Sequence, residues 1–136
     1  MPDIPDLWPT EIGAETSIVT PLAILRNAAS QLGERTQQLI IGDVSQEVIY
    51  GSKFRLHFFI EAPTLDHYRV KLFSVEHDID GFYPCIGRFS PGKIGHPNDA
   101  DVELASEKDL QDWLKSVFSA PRTMKLVNTL LQQLRS

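Results

Sequence analysis

The sequence predicts an α+β domain, an antiparallel sheet of four to five strands packed on one face by an N-terminal helix and two C-terminal helices. Three observations lead there. Residues 53–77 hold two runs with apolar side chains at alternate positions, Phe54, Leu56, Phe58 and Ile60, then Tyr68, Val70 and Leu72. That is the period of strands with one buried and one open face. Upstream, apolar residues from Leu22 recur at three- and four-residue spacing, and residues 106–136 do so twice around Pro121. Between them Asp80-Gly81 is a strong hairpin signal.

A chain of 136 residues suits one domain, which buries roughly two-thirds of the surface its unfolded form exposes. Residues 1–19 read as an extended acidic arm and 20–136 as the single domain. The arm carries Pro2, Pro5 and Pro9, four acidic residues and no basic one, a composition that favours extended backbone over helix. Ile4, Leu7 and Trp8 are too apolar for a spacer, so the arm is expected to dock, on its own domain or on a partner.

Thr20-Pro21 then offers an N-cap and a proline at the first helical position. Leu22, Leu25, Ala29, Leu32, Thr36 and Leu39 follow on one face, and Gly42 stands where a C-terminal cap would be, giving a helix of about six turns. Val44 to Tyr50 reads as the first strand. A turn longer than two residues at Gly51-Ser52 would set Val48 opposite Phe54 and Val44 opposite Phe58, the apolar match the pleat favours.

For the central pair, Ile60 is expected opposite Tyr68, Phe58 opposite Val70 and Leu56 opposite Leu72. Alternation breaks at Leu72-Phe73, where a bulge would return Phe73 and Val75 to the core; without one, those two join Phe59 on the second face. Phe82 to Phe89 forms the next strand, placed at an edge by Pro84. Residues 87–100 make a long glycine- and proline-rich loop, and Val102 to Ala105 a short last strand. Ser106 with Asp109 resembles a capping box before Leu110, Trp113, Leu114, Val117 and Phe118. After Ala120-Pro121 a second helix presents a wide apolar face, expected to be sandwiched or to form a homodimer contact.

The function classes narrow by exclusion. A formal charge of −5 argues against nucleic acid as a partner held by bulk electrostatics. The lone Cys85 cannot form an internal disulfide, and a reducing compartment is the simpler expectation. With no secretory signal and no apolar run near the ~20 residues of a membrane span, a cytoplasmic protein without membrane attachment is expected. Gly87 to Lys93 has the glycine and lysine spacing of a phosphate-binding loop. However, Ile94 replaces the Ser or Thr that holds magnesium, and Gly95 and Pro97 preclude the helix that would receive the phosphate. His67 and His77 stand on one strand about 33 Å apart and cannot share a metal, so neither a metal nor a cofactor is expected. Cys85 lacks a neighbouring base or elbow, and no catalytic set converges.

What remains is the far side of the central hairpin, where Lys53, Arg55, His57, Phe59, Arg69 and Lys71 project together. Cations beside an aromatic suit a phosphate or an acidic peptide. The expected function is therefore that of a small interaction protein, adaptor, chaperone or inhibitor-like, with a protein partner and no evident catalysis. The alternatives are a small-ligand binder or enzyme that uses the 87–100 loop, with Tyr83, Cys85, His96 and Asp99 as polar groups, or a single-strand nucleic-acid binder on the basic face.

Overall fold

The computed structural model describes residues 4–13, 18–89 and 101–136. Its elements run α1 (Pro21–Arg35), β1 (Ile41–Ile49), β2 (Lys53–Ala62), β3 (Tyr68–Asp78), β4 (Gly81–Phe89), β5 (Val102–Leu104), α2 (Glu107–Ser119) and α3 (Pro121–Leu134). The five strands form one antiparallel sheet in chain order. α1 packs under β1 and β2, α2 packs under β4 and β5, and α3 lies chiefly against α2. The predicted fold class is what is found. Of the 87–100 loop, residues 90–100 lie outside the described residues, as do His96 and Asp99.

α1 starts as the sequence predicts, with the Thr20 hydroxyl accepting from the Ala23 N–H at 3.2 Å and Pro21 in the first turn. It ends earlier than expected, after 15 residues, about four turns. Gln38 N–H bonds the Gly33 carbonyl at 2.8 Å and Gln37 N–H that of Glu34 at 3.5 Å, with Gln37 and Gln38 in left-handed conformations (φ 51° and 66°). This is a Schellman closure with glutamine where glycine is usual. Thr36 accounts for the stop. Its buried hydroxyl accepts from the Ile40 N–H at 3.1 Å and sits 2.8 Å from the Ile40 carbonyl, offering the backbone an alternative to another helical turn.

Gly42 is thus no cap but a residue of β1. A Cβ there would lie 2.7 Å from the Ala29 backbone and 2.9 Å from the Phe58 ring, so its bare backbone is what lets α1 lie close to the sheet. Gly87 does the same under α2, where a Cβ would meet the Trp113 ring at 2.7 Å.

The first hairpin has the expected longer turn. Tyr50 to Ser52 link the strands, Gly51 at φ 66°, and Val44 faces Phe58 while Val48 faces Phe54. The second hairpin is two residues out of the expected register. Ile60 pairs with Val70, and Ala62 with Tyr68, because the strands run closer to the turn than predicted. Every side chain keeps its face under a two-residue shift, so alternation could not choose between the two.

Of the two alternatives at Leu72-Phe73, the bulge is what forms. Phe58 faces Phe73 while Phe59 faces Lys71, leaving Leu72 as the extra residue. Leu72, Phe73 and Val75 are all buried. Phe73 stacks on Phe58 with centroids 4.9 Å apart, and Trp113 and Phe118 of α2 close on it at 5.5 and 5.8 Å.

β4 is not at the edge. β5 flanks it, but pairs only with Cys85 to Gly87, and the β3–β4 ladder is irregular between Glu76 and Asp78. Pro84 therefore sits where neither neighbour needs its missing N–H. The Asp80-Gly81 turn is displaced by one residue, since Gly81 already pairs with Asp78. α2 is capped by Ser106, whose hydroxyl accepts from the Asp109 N–H at 3.2 Å. The buried Thr123 hydroxyl donates to the Val117 carbonyl at 2.7 Å and ties α3 to the end of α2. Only Thr123 and Leu130 of α3 are fully buried, so its wide apolar face is not sandwiched among the described residues.

Gly42→Ala should destabilise the fold by about 1–3 kcal/mol through overpacking against Ala29. Gly81→Ala, which meets nothing within 4 Å, should change it by less than about 0.5 kcal/mol. Urea denaturation of both variants checks this, and equal losses would remove the close-approach account of Gly42.

Candidate functional site

The register brings all six expected residues onto the open face of the sheet. β2 contributes Lys53, Arg55, His57 and Phe59, and β3 contributes Arg69 and Lys71, with Phe59 directly opposite Lys71. The same pairing fills the face with carboxylates. Lys53 Nζ lies 3.3 Å from Asp78, Arg55 Nη2 3.3 Å from Glu76, and Arg69 Nη2 2.7 Å from Asp43. His57 Nε2 is 2.8 Å from Glu47 Oε1, so Nε2 carries the proton that the carboxylate accepts. Arg69 also lies over the Phe59 ring, Cζ 3.6 Å from the centroid, and covers one face of the aromatic expected to stack.

The expected basic strip is a mixed one. Lys53, Arg55, Arg69, Lys71 and Arg88 share the face with Asp43, Glu47, Glu61, Glu76, Asp78, Asp101 and Glu103. Five cations against seven carboxylates do not supply the excess positive charge on which single-strand nucleic-acid binding depends. Lys71 differs from its neighbours in making no ion pair with a described residue.

Arg88 belongs to this face and was not foreseen there, because the sequence placed it in the glycine-rich motif. It lies opposite Ser74 and grips Asp101 through Nε at 2.7 Å and Nη2 at 3.1 Å. That bond, rather than burial, holds the Asp101 carboxyl below its ordinary value and the Arg88 guanidinium above its own. Outward parity along β4 was the signal that would have found it.

On the helix side, two adjoining cavities follow α1. One of about 460 Å³ lies between α1 and α2, bounded by Val19, Ala23, Gln111 and Lys115. The other, about 240 Å³, lies between α1 and α3, with Phe58 and Ile60 as floor and Met124 and Val127 as wall. Ala28, Gln31 and Phe118 belong to both. No sequence signal marked this trough, since it arises from how far apart the helices sit.

The remaining polar candidates have structural partners. The Tyr83 hydroxyl donates to the Val19 carbonyl at 2.8 Å, and burial pushes its pKa up to about 12. Cys85 is fully buried, and burial pushes its thiol up to about 11. Both shifts disfavour the nucleophilic anion at neutral pH. His77, buried between Phe54 and Phe82, donates from Nδ1 to the Asp78 carbonyl at 2.7 Å. Among the described residues no group of three His, Cys, Asp or Glu side chains could hold a metal, and no helix is long and apolar enough to cross a membrane.

Folded protein at pH 8 should resist iodoacetamide, with Cys85 alkylated only at the rate of global unfolding. Rapid labelling of the native state would show the thiol to be reachable. The neutral thiol contributes stability that is fully present below its ordinary pKa of 9.0 and is lost as pH rises towards about 11.

Glu47 gives an acid-side prediction. Its carboxyl is held below the ordinary 4.5, first by the His57 hydrogen bond, which outweighs an opposing desolvation, with the charges of His57, Arg55 and Lys71 adding smaller contributions. The resulting stability is fully present above 4.5 and fades as pH falls through the lower folded value. Glu47→Gln should therefore lose stability less steeply than wild type on acidification below 4.5. Parallel denaturation curves against pH would discard the pairing as a contributor.

No protein-family model matches the chain, and comparison with curated proteins and with solved structures finds no match.

Proposed function

We propose that this chain is a small protein-binding module, adaptor, chaperone or inhibitor-like, that engages its partner through the N-terminal arm. The observation that carries this is the exposure of Ile4, Leu7, Trp8 and Ile12, at 81, 81, 72 and 63 % of their surface. Scattered apolar side chains are ordinary on a protein surface, but four large exposed ones within nine residues are a local concentration that suits an interaction segment. Transfer of Leu7 or Trp8 from water into a partner's pocket is favourable by about 1.5–3 kcal/mol each. Buried tryptophans are among the residues that dominate binding energy.

Local bonds give the arm shape. The Trp8 N–H donates to the Asp6 carboxylate at 3.1 Å, and the Ile12 N–H to the Pro9 carbonyl at 3.1 Å. Prolines at 5 and 9 reduce the chain freedom lost on docking. Asp6 and Glu11 keep the segment soluble and favour a partner groove with basic rims. The sheet face is the weaker candidate for the main contact, because most of its charges are already matched within the chain.

A photo-crosslinking residue in place of Trp8 tests this in native lysate. One predominant crosslinked partner, lost when Leu7→Ala is added without loss of folded stability, is the expected result. Crosslinks confined to the chain itself or to second copies of it would overturn the reading.

A further inference from the structure

We propose that the open face of the sheet carries an oxyanion site at the β3 bulge, formed by Arg55, Lys71 and Arg88 around the Ser74 hydroxyl and taking a phosphate or sulfate group. It is independent of the arm and of whatever the arm binds. A cavity of about 100 Å³ opens there, lined by Arg55, Lys71, Phe73, Ser74 and Arg88. The space admits a single tetrahedral group and little more. Three of its five lining residues are cations, and none of the five is a carboxylate.

The unmet hydrogen-bonding capacity of the face converges on this spot. Ser74 lines this cavity, and its hydroxyl, reachable from solvent there, makes no hydrogen bond to a described residue. Lys71, three residues earlier across the bulge, has three ammonium protons and no ion pair with a described residue. Among the described residues, the buried side-chain atoms left without a partner are Arg55 Nε and His57 Nδ1, one beside the cavity and one directly opposite Ser74 in the register. Arg88 spends Nε and Nη2 on Asp101, which leaves its other terminal nitrogen for a ligand.

The bulge produces the arrangement. In an unbroken ladder Lys71 and Ser74, an odd number of residues apart, would stand on opposite faces. One extra residue at Leu72 puts both on the open face, so the cavity exists only because β3 slips. The carboxylates nearby, Glu76 on Arg55 and Asp101 on Arg88, orient the guanidinium groups and offset part of their charge. Binding is therefore expected to be modest and salt-sensitive, and to need the hydroxyl and the forked donors as well as the field.

The test is isothermal titration of the full chain at constant ionic strength, with chloride as the reference anion. Inorganic phosphate, sulfate and a phosphoserine tripeptide are titrated separately. Saturable binding of at least one is expected, weakened about tenfold or more by Lys71→Met or Arg88→Met. Lys53→Met, a cation on the same face outside the cavity, should leave it unchanged. Tighter binding of the tripeptide identifies a phosphorylated side chain as the source, and tighter binding of phosphate or sulfate a free ion. In wild-type protein, the Ser74 and Arg55 amide resonances should shift along the same titration, which protects the test against a variant that fails to fold. No saturable binding, or equal loss in Lys53→Met, would overturn the site.

Discussion

One extra residue in β3 sets the rest of the structure. At Leu72 the strand slips by one position against β2, and from there on every side chain of β3 changes face. Before the slip, Val70 points to the helices. After it, Phe73 and Val75 do. Without it, Phe73 and Val75 would stand in water while Glu76 and Asp78 faced the core, a loss of several kcal/mol in apolar burial alone. The stack of Phe73 on Phe58, closed by Trp113 and Phe118, is the joint through which α2 holds the sheet. Bulges also bend and twist a strand, and this one lies directly over that joint.

The same slip composes the opposite face. Glu76 and Asp78 reach Arg55 and Lys53 only because they lie beyond the bulge. The exposed Lys53–Asp78 pair contributes little to stability, typically under about 1 kcal/mol, whereas Arg55–Glu76 is half-buried. In the observed register each of these carboxylates stands directly opposite a cation, the favourable arrangement for a cross-strand pair. A face that looked like a docking strip when β2 and β3 were read alone becomes, with β1 and β4 beside it, a lattice of matched charges. The unmatched remainder gathers around Ser74.

Close packing of the layers rests on absent side chains. Gly42 and Gly87 lie in strands, where glycine costs stability, and each sits under a helix residue that a methyl group would collide with. The helices approach the sheet closely at these two points, and the trough along α1 lies between α1 and the two C-terminal helices. α3, tied mainly to α2 through Thr123, is the least embedded of the three helices.

The sequence by itself determined the element order, the fold class and most of the side chains that are buried, with Val48 and Tyr68 left exposed instead, because periodicity records burial and burial is what the chain pattern encodes. It placed Lys53, Arg55, His57, Phe59, Arg69 and Lys71 on one face for the same reason. It also showed where β3 breaks step, since Leu72-Phe73 puts two apolar residues side by side. Tertiary structure alone decided the rest. A two-residue shift of the second hairpin preserves alternation, so register depended on how far the strands run towards Pro63. The end of α1 depended on a Thr36 hydroxyl that serves the helix and the residue before β1 at once. Gly42, which local rules read as a cap, was claimed by the contact with Ala29. The charge balance of the candidate face depended on which carboxylates the neighbouring strands bring opposite each cation. Periodicity is a property of one strand, whereas a site is made where several strands meet, and their meeting is set by packing between residues far apart in the chain.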